Sequence, residues 1–448
     1  MLCTAMDEEF SLNDPTHLLE SASEFAHHPV LQNDAATKDF LDRFPLPVII
    51  SALQTKADVP GLENALVECL EKVFKTKYGA SLIPQYMPFV QVGLRADSQI
   101  VRCLACKTGR VRVLSLIVKL FSISNSVASV VYNSNLLSLL EVEIRNSNDT
   151  LVTLSALELL YELTEIQHGT EFLSRTTLLL LHSIISNSSM ESILRSRAMM
   201  ISGRLLSKEN IYMVVDEPSA KGVISAINVR IGLLNSLDTD ECLSALEALG
   251  QIGSSIQGAV LLLSSFPPAA RHIVHAAFDW QGRGKQLAAL HALGNVAGEK
   301  RPEDSVMLNG DAEENLRLLI YEVASQSSKL TPSGLFLSVL QQAEEFRLAG
   351  YRVITGLVAR SWCLMEICSK QEIINMVTDP ATETTKIGME ARYNCCKAIH
   401  RAFMSSKLVS DPALHGIAVK LQDGVQRGPY LARKHTEAAP VVMTAEIF

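Results

Sequence analysis

The chain has 448 residues, 48% of them hydrophobic and 20% charged, which is enough apolar material for a continuous core and too much for a disordered chain. A formal net charge of -8 and a pI near 5.8 have the wrong sign for affinity gained by neutralising phosphates, so nucleic acid is excluded as the main partner. Nine cysteines without regular spacing exclude a disulfide framework.

In chain order, Met1 to Asp14 reads as a loose acidic tail, and Asp14-Pro15 opens a first helix. Asp7, Glu8 and Glu9 stand where a signal peptide needs a basic and then an apolar stretch. Thr16 to Phe25 and Lys38 to Gln54 show the weak helical spacing of a capping repeat, the second interrupted by Pro45 and Pro47. Gly61 to Thr76 is predicted to be an amphipathic helix with Leu62, Leu66, Leu70 and Val73 or Phe74 inward. Pro84 and Pro88 are expected to break the pattern before Val90 to Leu94, and Asp97-Ser98 to cap a helix through Ile100 to Leu104.

The next stretch organises the rest. Leu154-Ser155-Ala156-Leu157-Glu158-Leu159-Leu160 returns as Leu243-Ser244-Ala245-Leu246-Glu247-Ala248-Leu249, changed at one position, and Gly169 echoes as Gly258 at the same distance downstream. Polar turns precede both copies, Asn146 to Asp149 and Asp238-Thr239-Asp240, and supply helix caps. In the first copy Val152, Ala156, Leu159, Leu163 and Ile166 form the buried stripe, and the central alanine admits a neighbouring helix. Each copy continues into a second apolar stretch, Glu171 to Leu181 and Ala259 to Ser264, so the unit is a helical hairpin. The copies stand about two armadillo or HEAT periods of roughly 40 to 47 residues apart, with Leu194 to Ile201 between them and Ala289 to Gly294 one period beyond. Degenerate versions lie at Ile100 to Lys107, Leu348 to Gly356 and Glu390 to Ile399.

Ala297 to Glu313 and Ser325 to Gly334 read as loops between repeats, and the last helices as Glu344 to Cys368 and Gly388 to Ser405. No apolar run approaches the roughly 18 residues of a membrane span. The expectation is an all-α protein: a single armadillo/HEAT-like α-solenoid over 15–427, an N-terminal tail over 1–14 and an extended C-terminal tail over 428–448, soluble, monomeric when free, and placed in the cytoplasm or nucleus.

Candidate chemistry is sparse. Cys103-x-x-Cys106 has no second pair at zinc spacing, and Cys395, Cys396 and His400, with Cys363 and Cys368 before them, have no carboxylate or second histidine in register; packing accounts for both groups. Gly282-Arg283-Gly284-Lys285 lacks the spacer of a phosphate loop and has Gln286 where Ser or Thr should hold magnesium, so it reads as a turn before a helix. Glu158, Glu162 and Glu165 line one face, read as solvated, the alternative being an acidic strip for a basic partner. No Ser/His/Asp order, HExxH or paired-carboxylate arrangement stands out, and no enzyme, metal or cofactor is expected. The candidate binding face is Tyr393, Lys397, His400 and Arg401, an aromatic beside cations at helical spacing, which is the composition of interface anchors.

Blocks near the C-terminus carry a resemblance. Leu348 to Ile354, Ala359-Arg360-Ser361-Trp362, Glu390 to Ile399 and Gly428-Pro429-Tyr430 follow one another as at the end of the 26S proteasome non-ATPase regulatory subunit five family of assembly chaperones. The resemblance implies a HEAT/armadillo solenoid that binds a proteasomal AAA ATPase subunit of the regulatory-particle base, holds it in an assembly intermediate and leaves before the proteasome matures. It carries over no catalytic residue. The tail residues Leu431-Ala432-Arg433-Lys434 are more basic than that ending suggests. The rival readings are a nuclear-import adaptor, disfavoured because Gly284 and Glu366 stand where a Trp-x-x-x-Asn ladder would need asparagine after Trp280 and Trp362, and a generic armadillo scaffold or adaptor for another complex.

Overall fold

A computed structural model describes residues 15–430 apart from 29–32, 56–58, 94, 147–149, 167–168, 170–174 and 234–238. Both expected tails therefore lie outside the described residues, except Gly428 to Tyr430, as does most of the Asn146 to Asp149 turn. The fold is an all-α solenoid of helical hairpins, with no strand among the described residues. The chain packs as two compact units, Met1–Leu163 and Thr164–Phe448.

The first unit contains α1 (Pro15–His27), α2 (Asp34–Arg43), α3 (Leu46–Thr55), α4 (Leu62–Val73), α5 (Lys77–Gly93), α6 (Gln99–Ile123), α7 (Asn125–Asn133), α8 (Ser138–Asn146) and α9 (Thr150–Glu165), whose last two residues belong to the second unit. Its core gathers Phe25, Phe40, Ile49, Leu66, Cys69, Leu70 and Val73. Gly61, at φ 87, begins α4 in the left-handed region where a side chain would be strained, and Leu62, Leu66, Leu70 and Val73 are buried as their spacing requires. Ser98 caps α6 by accepting from Val101 N–H. The expected break at Pro84 and Pro88 does not occur, because α5 runs through both. The prolines are one turn apart, so the lost N–H donors fall on one side of the helix and its other turns keep their bonds.

The second unit contains α10 (Arg175–Ser186), α11 (Ser192–Leu206), α12 (Glu217–Leu233), α13 (Asp240–Ile252), α14 (Ile256–Ser264), α15 (Ala270–Ala277), α16 (Arg283–Ala297), α17 (Gly310–Gln326), α18 (Pro332–Leu340), α19 (Glu344–Leu357), α20 (Ser361–Ser369), α21 (Gln371–Thr378), α22 (Lys386–Met404) and α23 (His415–Arg427). One layer is formed by α11, α13, α16, α19 and α22, each packed along the next. Small residues permit the approach. A Cβ on Gly203 would stand 2.8 Å from Ala248 Cα, one on Gly250 2.6 Å from Ala292 Cα, and one on Gly356 2.8 Å from Ala297 Cβ. Ala245 and Ala289 are fully buried, but the closest helix contacts run through the glycines one turn or so further along.

Helix starts repeat a device in both units. Gly79, Gly258, Gly334 and Gly388 each donate their N–H to the hydroxyl of Thr76, Ser255, Thr331 and Thr385, three residues earlier. At Gly79 and Gly258 a Cβ would sit 2.0 Å from the carbonyl oxygens of Val73 and Ile252. Only glycine fits where the chain turns back that tightly after a helix.

Two arginines, Arg301 half-buried and Arg360 buried, close the other helix ends. Arg301 donates through Nη2 to Gly253 O at 2.6 Å and Val296 O at 3.0 Å, and through Nε to Ser254 O at 3.1 Å, thus capping the C-termini of α13 and α16 together. One repeat later Arg360, 2% exposed, donates through Nη1 to Ala297 O at 2.9 Å and Gly356 O at 2.8 Å and binds both carboxylate oxygens of Glu313 at 2.6 and 2.9 Å. The expected single helix from Glu344 to Cys368 is accordingly two, α19 and α20, divided where Arg360 turns inward to these carbonyls. Two further helices, α21 and α23, lie in stretches to which the sequence assigns no element; α23 buries only Ile417, Leu421 and Gly424, a stripe too narrow to stand out.

Candidate partner-binding surface

The layer of α11, α13, α16, α19 and α22 turns one side to its neighbours and the other outward. His291 and Asn295 of α16 and Glu299, just past its Gly298 cap, are half-buried and stand at successive four-residue steps. Arg352 of α19 binds all three, with Nη1 2.7 Å from His291 Nδ1, Nη2 3.0 Å from Asn295 Oδ1 and 3.1 Å from Glu299 Oε2. On α13 the exposed Glu247 accepts from Gln251 Nε2 at 3.2 Å. The result is a polar strip whose side chains are already held by one another, so a partner would meet fixed donors and acceptors and lose less side-chain entropy on binding.

Rigid ion pairs set the spacing of the helices beneath it. Glu241 of α13 takes Arg195 Nε of α11 at 2.7 Å and Arg230 Nε of α12 at 2.6 Å. Burial raises the Glu241 carboxyl, and the bonds to the two arginines outweigh it, leaving the group below its usual range. Glu383 receives Arg347 at 2.7 and 2.9 Å and the Tyr351 hydroxyl at 3.0 Å.

The candidate face read from sequence is only partly brought together. Lys397 and Arg401 of α22 are exposed, whereas Tyr393 and His400 are half-buried. The Tyr393 hydroxyl donates to Val425 O of α23 at 3.4 Å, and His400 Nε2 is buried without a hydrogen-bond partner among the described residues. Each step of four residues overshoots a helical turn by about 40°, so Lys397 and Arg401 rotate towards solvent while Tyr393 and His400 stay against α23. Of the acidic face, Glu165 pairs with Arg204 of α11.

The cysteines are structural in their surroundings. Cys363, Cys368, Cys395 and Cys396 are buried, and burial pushes the thiols of Cys368 and Cys396 up to about 11. Cys103 is exposed, while the side chain of Cys106 is outside the described residues. Among the described residues no group of three or more His, Cys, Asp or Glu is arranged to hold a metal ion, and no single helix is long and apolar enough to cross a membrane. Gly282-Arg283-Gly284-Lys285 is the start of α16, with Gly282 at the cap position.

Two clefts escaped the sequence reading. In the first unit, a cleft of about 1080 Å³ is lined by Leu53, Leu70, Phe74, Tyr86, Phe89 and Val101 with Glu63 and Asp97 among them. In the second unit, α15, α16 and α17 enclose a smaller polar one around His272. Neither has a signal in the sequence, because each collects residues from several helices.

Residues 97–446 match the family model described as proteasome non-ATPase 26S subunit. The chain belongs to this family. No curated protein matches its sequence. Among solved structures, this chain is similar to a crystal structure of an engineered protein at 14% identity, covering 92% of this chain and 95% of that one with a TM-score of 0.52. It is also similar to a designed armadillo repeat protein in complex with the peptide (KR)4, at 14% identity over 59% of this chain and 99% of that one, with a TM-score of 0.43. A likeness at this identity bears on fold alone.

Proposed function

We propose that this member of the proteasome non-ATPase 26S subunit family is a non-catalytic chaperone for assembly of the regulatory-particle base, which binds one ATPase subunit in an assembly intermediate and is absent from the mature complex. The observation that carries the reading is the family match over 97–446, a span that contains the whole stacked layer from α11 to α22. The order of the C-terminal blocks, with their resemblance to the subunit five chaperones, supports the finer assignment. The polar strip around Arg352 suits such a role, since a chaperone must come off, and an interface of hydrogen bonds rather than a large apolar core releases more readily.

The test is to pass cell extract over the immobilised full chain and identify what stays bound. Regulatory-particle ATPases enriched without the proteolytic core are expected. Core particle retained in proportion would point to a resident subunit instead, and retention of no proteasome component would leave only the helical scaffold.

A further inference from the structure

The polar cleft of the second unit, about 450 Å³, is lined mainly by Arg271, His272, His275, Asp279, Lys285 and Glu322, a volume near the lower end of the roughly 300–1,000 Å³ of small-ligand sites. His272 is only 8% exposed, yet among the described residues its ring makes no hydrogen bond. The guanidinium of Arg271, half-buried beside it, likewise has no ion-pair or hydrogen-bond partner among the described residues. Lys285, in the first turn of α16, joins them in the lining. A buried imidazole, an unpaired guanidinium and Lys285 bring donors and positive charge to one space. Such donors are normally satisfied when buried, and an oxyanion satisfies several at once.

Two carboxylates complete the lining. Asp279 Oδ1 accepts the Gln281 N–H at 3.0 Å, and Glu322 Oε1, on an exposed residue of α17, accepts from Gln326 Nε2 at 3.4 Å. They would repel a bare anion and attract a cation adjoining it.

We propose that this cleft binds a phosphate monoester carried on a peptide next to a basic side chain, with the phosphate on Arg271 and His272 beside Lys285 and the basic group on Glu322 and Asp279. Arg271 meets two phosphate oxygens with its paired N–H groups, and His272 donates to a third. The ligand thus uses both signs of charge in the lining, which inorganic phosphate does not. This inference is independent of the ATPase reading.

The experiment measures binding of a fluorescent peptide with phosphoserine two residues after arginine to the full chain, beside its unphosphorylated form and inorganic phosphate. The phosphopeptide is expected to bind at least tenfold more tightly than the unphosphorylated form. Arg271→Glu should abolish that difference, His272→Gln should shrink it, and Glu322→Lys should weaken the peptide while sparing inorganic phosphate. Melting temperatures of the variants establish that they fold, and Lys285→Glu replaces Arg271→Glu if the latter melts early. Equal binding of the two peptides, or a preference unmoved by Arg271→Glu in folded protein, overturns the site. Inorganic phosphate binding as tightly as the phosphopeptide overturns its assignment to a peptide.

Discussion

Arg352 Nη1 of α19 lies 2.7 Å from His291 Nδ1 of α16. Arginine has no acceptor, so Nδ1 must accept and the imidazole must be neutral. Burial, with Arg352 next, holds His291 below its usual 6.5. His275 is lowered chiefly by burial, and burial beside Arg271 takes His272 down to about 4. For a histidine with a depressed folded pKa, the unfolded chain takes up the proton first, so the contribution to stability is complete above 6.5 and is lost as the pH falls below it. Glu241 acts only below its usual 4.5, outside the range from pH 7 to pH 5.5. The melting temperature should fall by a few degrees from pH 7 to pH 5.5, and by less in the His272→Gln, His291→Gln double variant. Equal falls would remove the histidines from the account.

Arg360→Met should destabilise the second unit by about 3–5 kcal/mol, because Glu313 and the carbonyls of Ala297 and Gly356 lose their partner together. Arg301→Met, which frees carbonyls but no carboxylate, should cost less, about 1–3 kcal/mol. Urea unfolding followed by circular dichroism ranks the two, and a reversed order would show that the Glu313 pair is not what matters at Arg360.

Much of this layer was legible from the repeated Leu-Ser-Ala-Leu-Glu stretch, since a helix that must pack on its neighbours keeps its small and apolar positions. The stripe of α4, the cap at Ser98 and the cap at Thr239, which accepts from Cys242 N–H, also followed from local chemistry. What could not be read depends on distant partners. Arg301 and Arg360 look like surface cations until the helix ends they cap are assembled around them. Pro84 and Pro88 looked like breaks because a proline costs a bond locally, whatever the packing of α5 against α2 and α6 restores. The Ser/Thr-x-x-Gly starts at Thr76, Ser255, Thr331 and Thr385 were present as a pattern and are the clearest signal that the sequence reading passed over, having noted only the glycine echo at Gly258.

Gly250→Ala tests the close approach of α13 and α16. The added methyl would stand 2.6 Å from Ala292 Cα and Cβ, and backbone cannot swing aside as a long side chain can. A loss of about 1–3 kcal/mol is expected. Gly310→Ala at the start of α17, where nothing lies within 4 Å, should stay within about 0.5 kcal/mol of the parent. Thermal melts of both variants check the contrast.

Glu247→Lys and Arg352→Glu reverse charges on the polar strip. Each should weaken a partner seated there by tenfold or more. Lys397→Glu, on the other exposed group of α22, reports whether the face first read from sequence also takes part. Calorimetric titration with the captured ATPase distinguishes the strip from α22 by which reversal costs affinity.

The most direct measurement adds the purified chain, at equal concentration, to each isolated ATPase subunit of the regulatory-particle base and to the assembled 26S proteasome, and follows co-migration by size-exclusion chromatography. The account predicts a stable complex with one free ATPase and none with the assembled particle. Co-migration with the assembled particle, or with no ATPase at all, would contradict it.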